Sequence, residues 1–388
     1  MEHGFKMTPE DVLFFRDARP MEASDIGCGA NWPRPDQLYH ALRSALLLSW
    51  PSRQNWEGER GVLRFGSLRT LGPFPQRKGE LYLPCPMDWN MRLVKVENTD
   101  LPKPLTHSFL PPSTEKVSLP RWIPASAYGK YLAGGALADA LKDVSEDALF
   151  NADRQIGIGL DARTSTTVEG RFYQAEYLRL GKDVSMAASV SCETVPSNGG
   201  KPVDAWQQEG APTRFPFGGQ RRMCRLEKAG AIAFPQAAIT TPYLRWTLIT
   251  PAIFLDGWRP GWVLAEDGQV RLRRSCEPRR TDETRADWKA RCKGAPFIKA
   301  KLVAARIGKP MAFSGWRVAD GKGTNAPKPT VFAVPAGSSY VFACDSVKEA
   351  QALAEVLAAP QRRSDLCGEQ GFGLGLCSSV MLPNESAN

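Results

Sequence analysis

Short apolar runs separated by long polar, turn-rich stretches set the rhythm of this chain. The first run, Val12 to Phe15, is bounded by Asp11 and by Arg16-Asp17 and predicts a buried strand. Turn residues Gly27, Gly29, Pro33 and Pro35 follow, and Asp36 then opens a helix that ends before Pro51. On that helix Leu38, Leu42, Ala45, Leu46 and Ser49 share one face, whereas His40, Arg43 and Leu47 lie elsewhere. Residues 51 to 120 are dense in Pro, Gly, Arg and Trp, with short strand-like pieces such as Glu80 to Leu83. They read as part of an insertion, about 51–150, without a core of its own.

Ile156 to Leu160 and Phe172 to Leu180 predict two strands, and the polar stretch between them suits the tip of a long hairpin, about 160–172. Val184 to Val195 alternates loosely and can close a first sheet. The break Pro196-Ser197-Asn198-Gly199-Gly200 marks a boundary, giving domains 1–205 and 206–388. In the second half, strands are expected at Met223 to Leu226, Leu244 to Ile249, Phe297 to Ala304, Thr330 to Val334 and Tyr340 to Ala343. Ser346-Val347-Lys348-Glu349 forms a capping box ahead of a helix that Pro360 stops. The glycine loop from Gly368 to Gly375 and an apolar strand, Leu376 to Leu382, complete the chain.

A strand leading through a loop into an amphipathic helix is the opening of a ferredoxin-like βαββαβ unit, among other α/β possibilities. The length of 388 residues favours two or three domains. Lys plus Arg number 50 against 41 Asp plus Glu, which favours an anionic partner such as nucleic acid. From Arg271 to Arg306 there are twelve basic residues and four acidic ones, so nearly the whole surplus lies in one stretch. The plainer account of that stretch is a solvated charged face.

The nine cysteines are scattered singly, with no C-x-x-C and no zinc-finger spacing, and read as free thiols in a reducing cytoplasm. The N-terminus carries no apolar signal core and no apolar run is long enough to cross a bilayer, so no membrane role is expected. Motifs for nucleotide, metal or nucleophilic chemistry are missing, and no cofactor or metal is expected.

Several segments in order resemble the RAMP superfamily of CRISPR RNA-binding proteins, and within it the third-subunit family of the type III-B (Cmr) module. They are Leu13 to Pro20, Gly157 to Thr164 continuing into Glu169 to Tyr173, Gly218 to Arg222, Thr250 to Phe254 with Gly257 to Pro260, Ala305 to Pro310 with Ser314-Gly315-Trp316, and the terminal glycine loop. The resemblance implies an α+β chain of two ferredoxin-like folds with long insertions and no catalytic centre. It implies a subunit that binds the repeat-derived 5′ tag of the guide RNA (crRNA), meets target RNA only indirectly, and joins the large polymerase-like subunit to a backbone RAMP subunit.

Given that resemblance, the RNA-contacting candidates follow from side-chain chemistry. Arg16 and Arg19 flank the first strand, and Arg43 lies off the helix's apolar stripe; arginine suits phosphate because its fork donates bidentately. Salt bridges from Arg16 or Arg19 to Asp17 or Glu22 are the competing reading. The hairpin carries Arg163, Arg171 and Tyr173, and only one of Phe172 and Tyr173 can face RNA, because neighbours on a strand point oppositely. Arg221, Arg222, Lys299, Lys301 and Arg306 supply phosphate-tracking charge, and Trp258 either stacks on a base or belongs to the core. In the terminal loop Gly371, Phe372, Gly373 and Gly375 either offer bare amides to phosphate or make a tight helix-to-strand turn.

Two other classes compete. A RAMP endoribonuclease that processes precursor crRNA needs a general acid or base, and His40, on the first helix, is the candidate among the three histidines. A scaffold without RNA contact fits the size equally and predicts assembly that is indifferent to salt.

Overall fold

The computed structural model describes residues 1–16, 26–49, 65–97, 100–112, 119–135, 149–194, 202–317 and 326–380. The chain is mixed α+β and dominated by two antiparallel sheets. Its elements in order are β1 (His3–Pro9), α1 (Pro35–Ser49), β2 (Arg69–Arg77), β3 (Glu80–Pro84), β4 (Trp122–Pro124) and α2 (Ala125–Leu132). Next come β5 (Phe150–Leu160), β6 (Thr167–Leu180), β7 (Val184–Ser191), β8 (Arg214–Pro216) and β9 (Met223–Ala229). The second half contributes β10 (Tyr243–Leu248), α3 (Arg285–Gly294), β11 (Ala300–Arg306), β12 (Ser339–Cys344), α4 (Val347–Leu357) and β13 (Gly375–Ser379).

The first sheet runs β8-β9-β1-β7-β2-β3-β4 and the second β11-β12-β10-β13. Each contains four strands laid out as fourth, first, third, second in chain order: β9-β1-β7-β2 in one, β13-β10-β12-β11 in the other. α1 packs on the first sheet and α4 on the second, and α2 adds Ala127, Tyr128, Tyr131 and Leu132 to the first core. α1 buries Leu38, Tyr39, Leu42, Ala45 and Leu46, and α4 buries Ala350, Leu353, Val356 and Leu357. These sets recur every three or four residues, as a helix laid on a sheet requires. α3, in contrast, buries nothing.

Several sequence expectations need correction. The first strand is not Val12–Phe15 but His3–Pro9, where Phe5 and Met7 point inward and Lys6 outward. Val12, Leu13 and Phe15 are buried as well, yet they cross the base of the hairpin through single bridges to Leu178 and Ala30. The stretch read as an insertion supplies β2, β3, β4 and α2, and β2 pairs with β7 inside the first sheet. Pro73 and Pro75 obscured that strand. They are tolerated because β3 pairs with β2 only at Gln76 and Arg77, leaving the proline stretch a ladder partner on one side alone.

The division at 205/206 also falls in the wrong place. β8 and β9 return to the first sheet, with β9 in register along β1 from Gly4↔Ala229 to Pro9↔Cys224, so the chain passes between sheets within residues 230–242. The capping box is only half made. Ser346 Oγ accepts from the Glu349 amide at 3.3 Å, but the Glu349 carboxylate accepts from Arg274 Nη2 at 2.6 Å and the Lys299 amide at 3.1 Å. Cys276 and Cys292 form a disulfide with Cα atoms 5.3 Å apart, so these two are not free thiols.

The two halves share a core. Ile249, Leu374 and Leu376 pack into the cluster beneath the first sheet, together with Leu71 and Phe74 of β2. No helix among the described residues is long and apolar enough to cross a membrane.

Candidate nucleic-acid interface

At the open end of the first sheet, segments far apart in sequence converge on one groove of about 480 Å³, lined by Phe14, Phe15, Arg16, Arg34, Gln37, Gly218, Gly219 and Ser314. Glycine is required here for close approach. Gly218 has φ +85°, and a Cβ on it would lie 2.7 Å from the Phe14 carbonyl oxygen. The Gly219 amide donates to that same oxygen at 2.8 Å, tying the turn to the segment that carries Arg16.

Arg34 forms the wall between this groove and a second, more apolar pocket of about 370 Å³, whose lining includes Trp32, Phe74, Trp122, Thr250 and Met311. Its guanidinium is held by both oxygens of Asp36 at 3.0 Å, and its amide donates to Gln37 Oε1 at 2.8 Å. Pro35 follows as the first helical residue, a position that needs no amide donor. The helix start thus orients one arginine over the groove. Arg34 and Gln37 were missed in the sequence; the available signal was an arginine between two prolines directly before a helix.

The structure gathers some predicted residues here and separates others. Arg16 lines the groove. Arg221 stands exposed on the adjoining turn with φ +52° and has no side-chain partner among the described residues. Arg222 turns inward, 4.9 Å from the centre of the Tyr177 ring and 3.5 Å from Asp11, so part of its charge is engaged. Arg43 is half-buried on α1 and does not line the groove; its Nε is buried without a partner. Arg19 lies outside the described residues. Arg171 and Tyr173 fall on β6 by their backbone, opposite Gly157 and its neighbours, and their side chains lie outside the description.

β5 and β6 pair as a hairpin whose turn spans residues 161–166, shorter than the tip of about 160–172 read from the sequence, with Arg163 exposed on it. Asp161 accepts from the amides of Arg163 and Thr164 at 2.8 and 3.1 Å, which shapes the turn and lowers the Asp161 pKa. Its more conspicuous feature is apolar: Ile156, Ile158 and Leu160 alternate along β5 and are all exposed. That stripe is legible in the sequence as a period of two within the strand expected at Ile156 to Leu160.

Lys299 and Lys301 line a separate depression of about 320 Å³ on edge strand β11, with Arg271 and Phe297, and share no residue with the groove. Arg306 is exposed at the end of β11. Trp258 is half-buried against the second core, and its carbonyl accepts from Tyr340 Oη at 2.6 Å, so packing explains it.

The terminal loop is corrected outright. Phe372 is fully buried, and Gly371, Gly373 and Gly375 are buried with it. Gly371 and Gly373 adopt φ +95° and +76°. A Cβ on Gly375 would lie 2.1 Å from Trp246 Nε1, and one on Gly373 would lie 2.1 Å from the Ser364 nitrogen. These glycines let backbone and core pack closely, and their amides do not face solvent.

His40 meets the Tyr39 ring edge-on at 5.4 Å and lines neither the groove nor the apolar pocket. Desolvation lowers its pKa, with Asp36 opposing and Lys328 and Arg43 adding to the shift. Among the described residues no group of three or more His, Cys, Asp or Glu side chains is placed to hold a metal ion.

No curated protein matches the chain in sequence. Among solved structures it is similar to a chain of the type III-B Cmr-beta complex bound to cognate target RNA and AMPPnP, at 15% identity and TM-score 0.44, covering 89% of this chain and 86% of that one. It is also similar to a chain of the Csm3–Csm4 subcomplex of the type III-A CRISPR–Cas interference complex, at 10% identity and TM-score 0.38, covering 89% and 94%. The family model described as CRISPR-associated protein (Cas_Cmr3) matches residues 5–380, nearly the whole length. The chain belongs to the CRISPR-associated Cas_Cmr3 family.

Proposed function

We propose that this chain is a non-catalytic subunit of a type III-B CRISPR interference complex and holds the 5′ tag of the crRNA in the groove walled by Arg16 and Arg34. In this reading it works in the cytoplasm, joins the large polymerase-like subunit to a backbone RAMP subunit, and meets target RNA only through the guide. The carrying observation is convergence. Phe14 to Arg16, Gly218-Gly219 and Ser314 belong to three motif segments, and they line one open groove beside Arg34.

The chemistry suits a single-stranded phosphate chain. Arg16 and Arg34 place positive charge along the groove, and the glycine turn lets a backbone approach without side-chain obstruction. The shared strand order of the two sheets supports reading each as a ferredoxin-like unit, and α1 and α4 each supply one helix of such a unit. Cleavage is disfavoured because the one helical histidine stands outside the groove.

The test is fluorescence anisotropy with RNA bearing the repeat-derived tag, across a salt series. Exchanging Arg16 and Arg34 for alanine is expected to weaken binding and flatten the log–log salt slope by roughly 1.4, about 0.7 per lost phosphate contact. Wild-type affinity and slope in that double variant would remove the groove as the site. Tag-dependent assembly that ignores salt would favour a scaffold, and cutting of precursor RNA that disappears in His40→Ala would favour the nuclease.

A further inference from the structure

The densest positive charge in the chain is not at the groove. It lies on α3 and the segments around it, and α3 is unusual in burying no residue. One side of this helix nevertheless has a structural task. Cys292 is bonded to Cys276, and Trp288 Nε1 donates to the Glu277 carbonyl at 3.1 Å. Arg291 donates to both carboxylate oxygens of Glu283 at 2.8 and 2.9 Å. Asp287 accepts from the Thr284 hydroxyl at 2.6 Å, and its amide donates back to that oxygen.

At about 100° per residue, Arg285, Lys289 and Lys293 form one stripe about 80° wide, and the anchoring residues occupy the arc beside it. Ala286 and Ala290 flank the cations on the side away from the anchoring residues, so a ligand can come close to the helix. All three basic side chains are exposed, and none has a partner among the described residues. The nearby acids Glu283 and Asp287 are engaged on the anchored side. A face of this composition is complementary to a polyanion.

Beyond the helix end the same surface acquires an aromatic ring. Phe297 is 41% exposed, with the Arg273 and Arg271 guanidinium carbons 4.2 and 5.6 Å from its ring centre. Lys299 and Lys301 line the same depression. An accessible ring among cations suits a nucleobase stacked beside its phosphates, a use that an acidic protein surface would not make of it. We infer that the outer face of α3 and the Phe297 depression form a second nucleic-acid-binding strip, separate from the groove, that takes single-stranded RNA irrespective of tag sequence.

The experiment uses the full chain and a labelled oligouridine without any repeat-derived sequence, so its outcome is independent of the tag reading. The triple variant Arg285→Ala/Lys289→Ala/Lys293→Ala removes unpartnered surface groups and is expected to keep its thermal midpoint. Its affinity for oligouridine should fall about tenfold, with the salt slope lowered by roughly 2 for three phosphate contacts. Phe297→Ala should weaken the same complex roughly tenfold with its salt slope unchanged. The inference is overturned if the triple variant binds oligouridine like the unaltered protein. It is equally overturned if the loss is confined to Arg16→Ala/Arg34→Ala, or if the triple variant loses only a polyglutamate peptide.

Discussion

Asp88 and Arg245 meet across the junction of the two sheets, Nη1 to Oδ2 at 3.2 Å, with the Asp88 side chain wholly removed from solvent. The remaining bonding capacity is also used. Tyr131 Oη and Ser339 Oγ donate to Asp88 Oδ1 at 2.7 and 2.6 Å. The Arg245 guanidinium lies 4.0 Å from the centre of the Tyr131 ring and donates to Ser378 Oγ at 3.1 Å. Asp88 lies in the turn after β3, Tyr131 on α2, Arg245 on β10 and Ser339 on β12, so one buried cluster joins both halves.

Removing one partner of such a pair strands the other charge. Asp88→Ala is expected to cost about 3–5 kcal/mol in equilibrium denaturation. Arg245→Met should cost a similar amount, and the double variant should recover part of the loss. Additive losses would mean that the two groups do not depend on each other.

The terminal glycine loop makes a contrasting case, in which geometry predicts a packing defect. Phe372→Ala should destabilise by about 3–5 kcal/mol, as for other buried aromatics. Gly375→Ala forces a methyl against the Trp246 indole and should cost about 1–3 kcal/mol. Both folded variants are expected to bind tagged RNA with unchanged affinity. A stable Gly375→Ala protein with weakened RNA binding would restore the loop as a contact site.

The anchor of α3 should respond to acid. The hydrogen bond from Arg291 holds the Glu283 carboxyl down to about 2, with the amide of Arg280 and the charges of both arginines acting in the same direction. A carboxylate lowered in the folded state stabilises fully above its unfolded value of about 4.3 and loses that contribution as pH falls toward the folded value. The Trp288 indole resonance, which reports the anchored side of the helix, should therefore shift between about pH 4 and 2. In Glu283→Gln the transition should vanish.

The disulfide is expected to govern the same element locally. Because α3 buries no residue, reducing Cys276–Cys292 should leave the thermal midpoint of the two cores in place. Trypsin should cut at Arg285 and Lys289 faster in reductant, as read by mass spectrometry. A large fall in the midpoint would show that the helix contributes to the cores.

Several elements were legible because their cues are local. α1 and α4 follow from apolar spacing and from Pro35, Ser346 and Pro360, and the hairpin follows from two strand patterns around a polar tip. Other features depended on partners distant in the chain. Glu349 has the position of a capping residue, but Arg274 draws its carboxylate away. β2 carries prolines that contradict a strand until its free side is known.

The site divides in the same way. Arg16, the glycine pair at 218 and 219, and Ser314 could be picked out by residue type and motif, whereas their meeting in one groove with Arg34 could not. By itself the sequence determined α1 and α4, the hairpin, the family resemblance and the concentration of charge between 271 and 306, because period, capping and net charge need only near neighbours. Tertiary structure decided which glycines are buried, which arginines are engaged, and that the second basic surface lies apart from the first. Those outcomes depend on strand order and close packing, which bring together residues that one-dimensional spacing leaves unrelated.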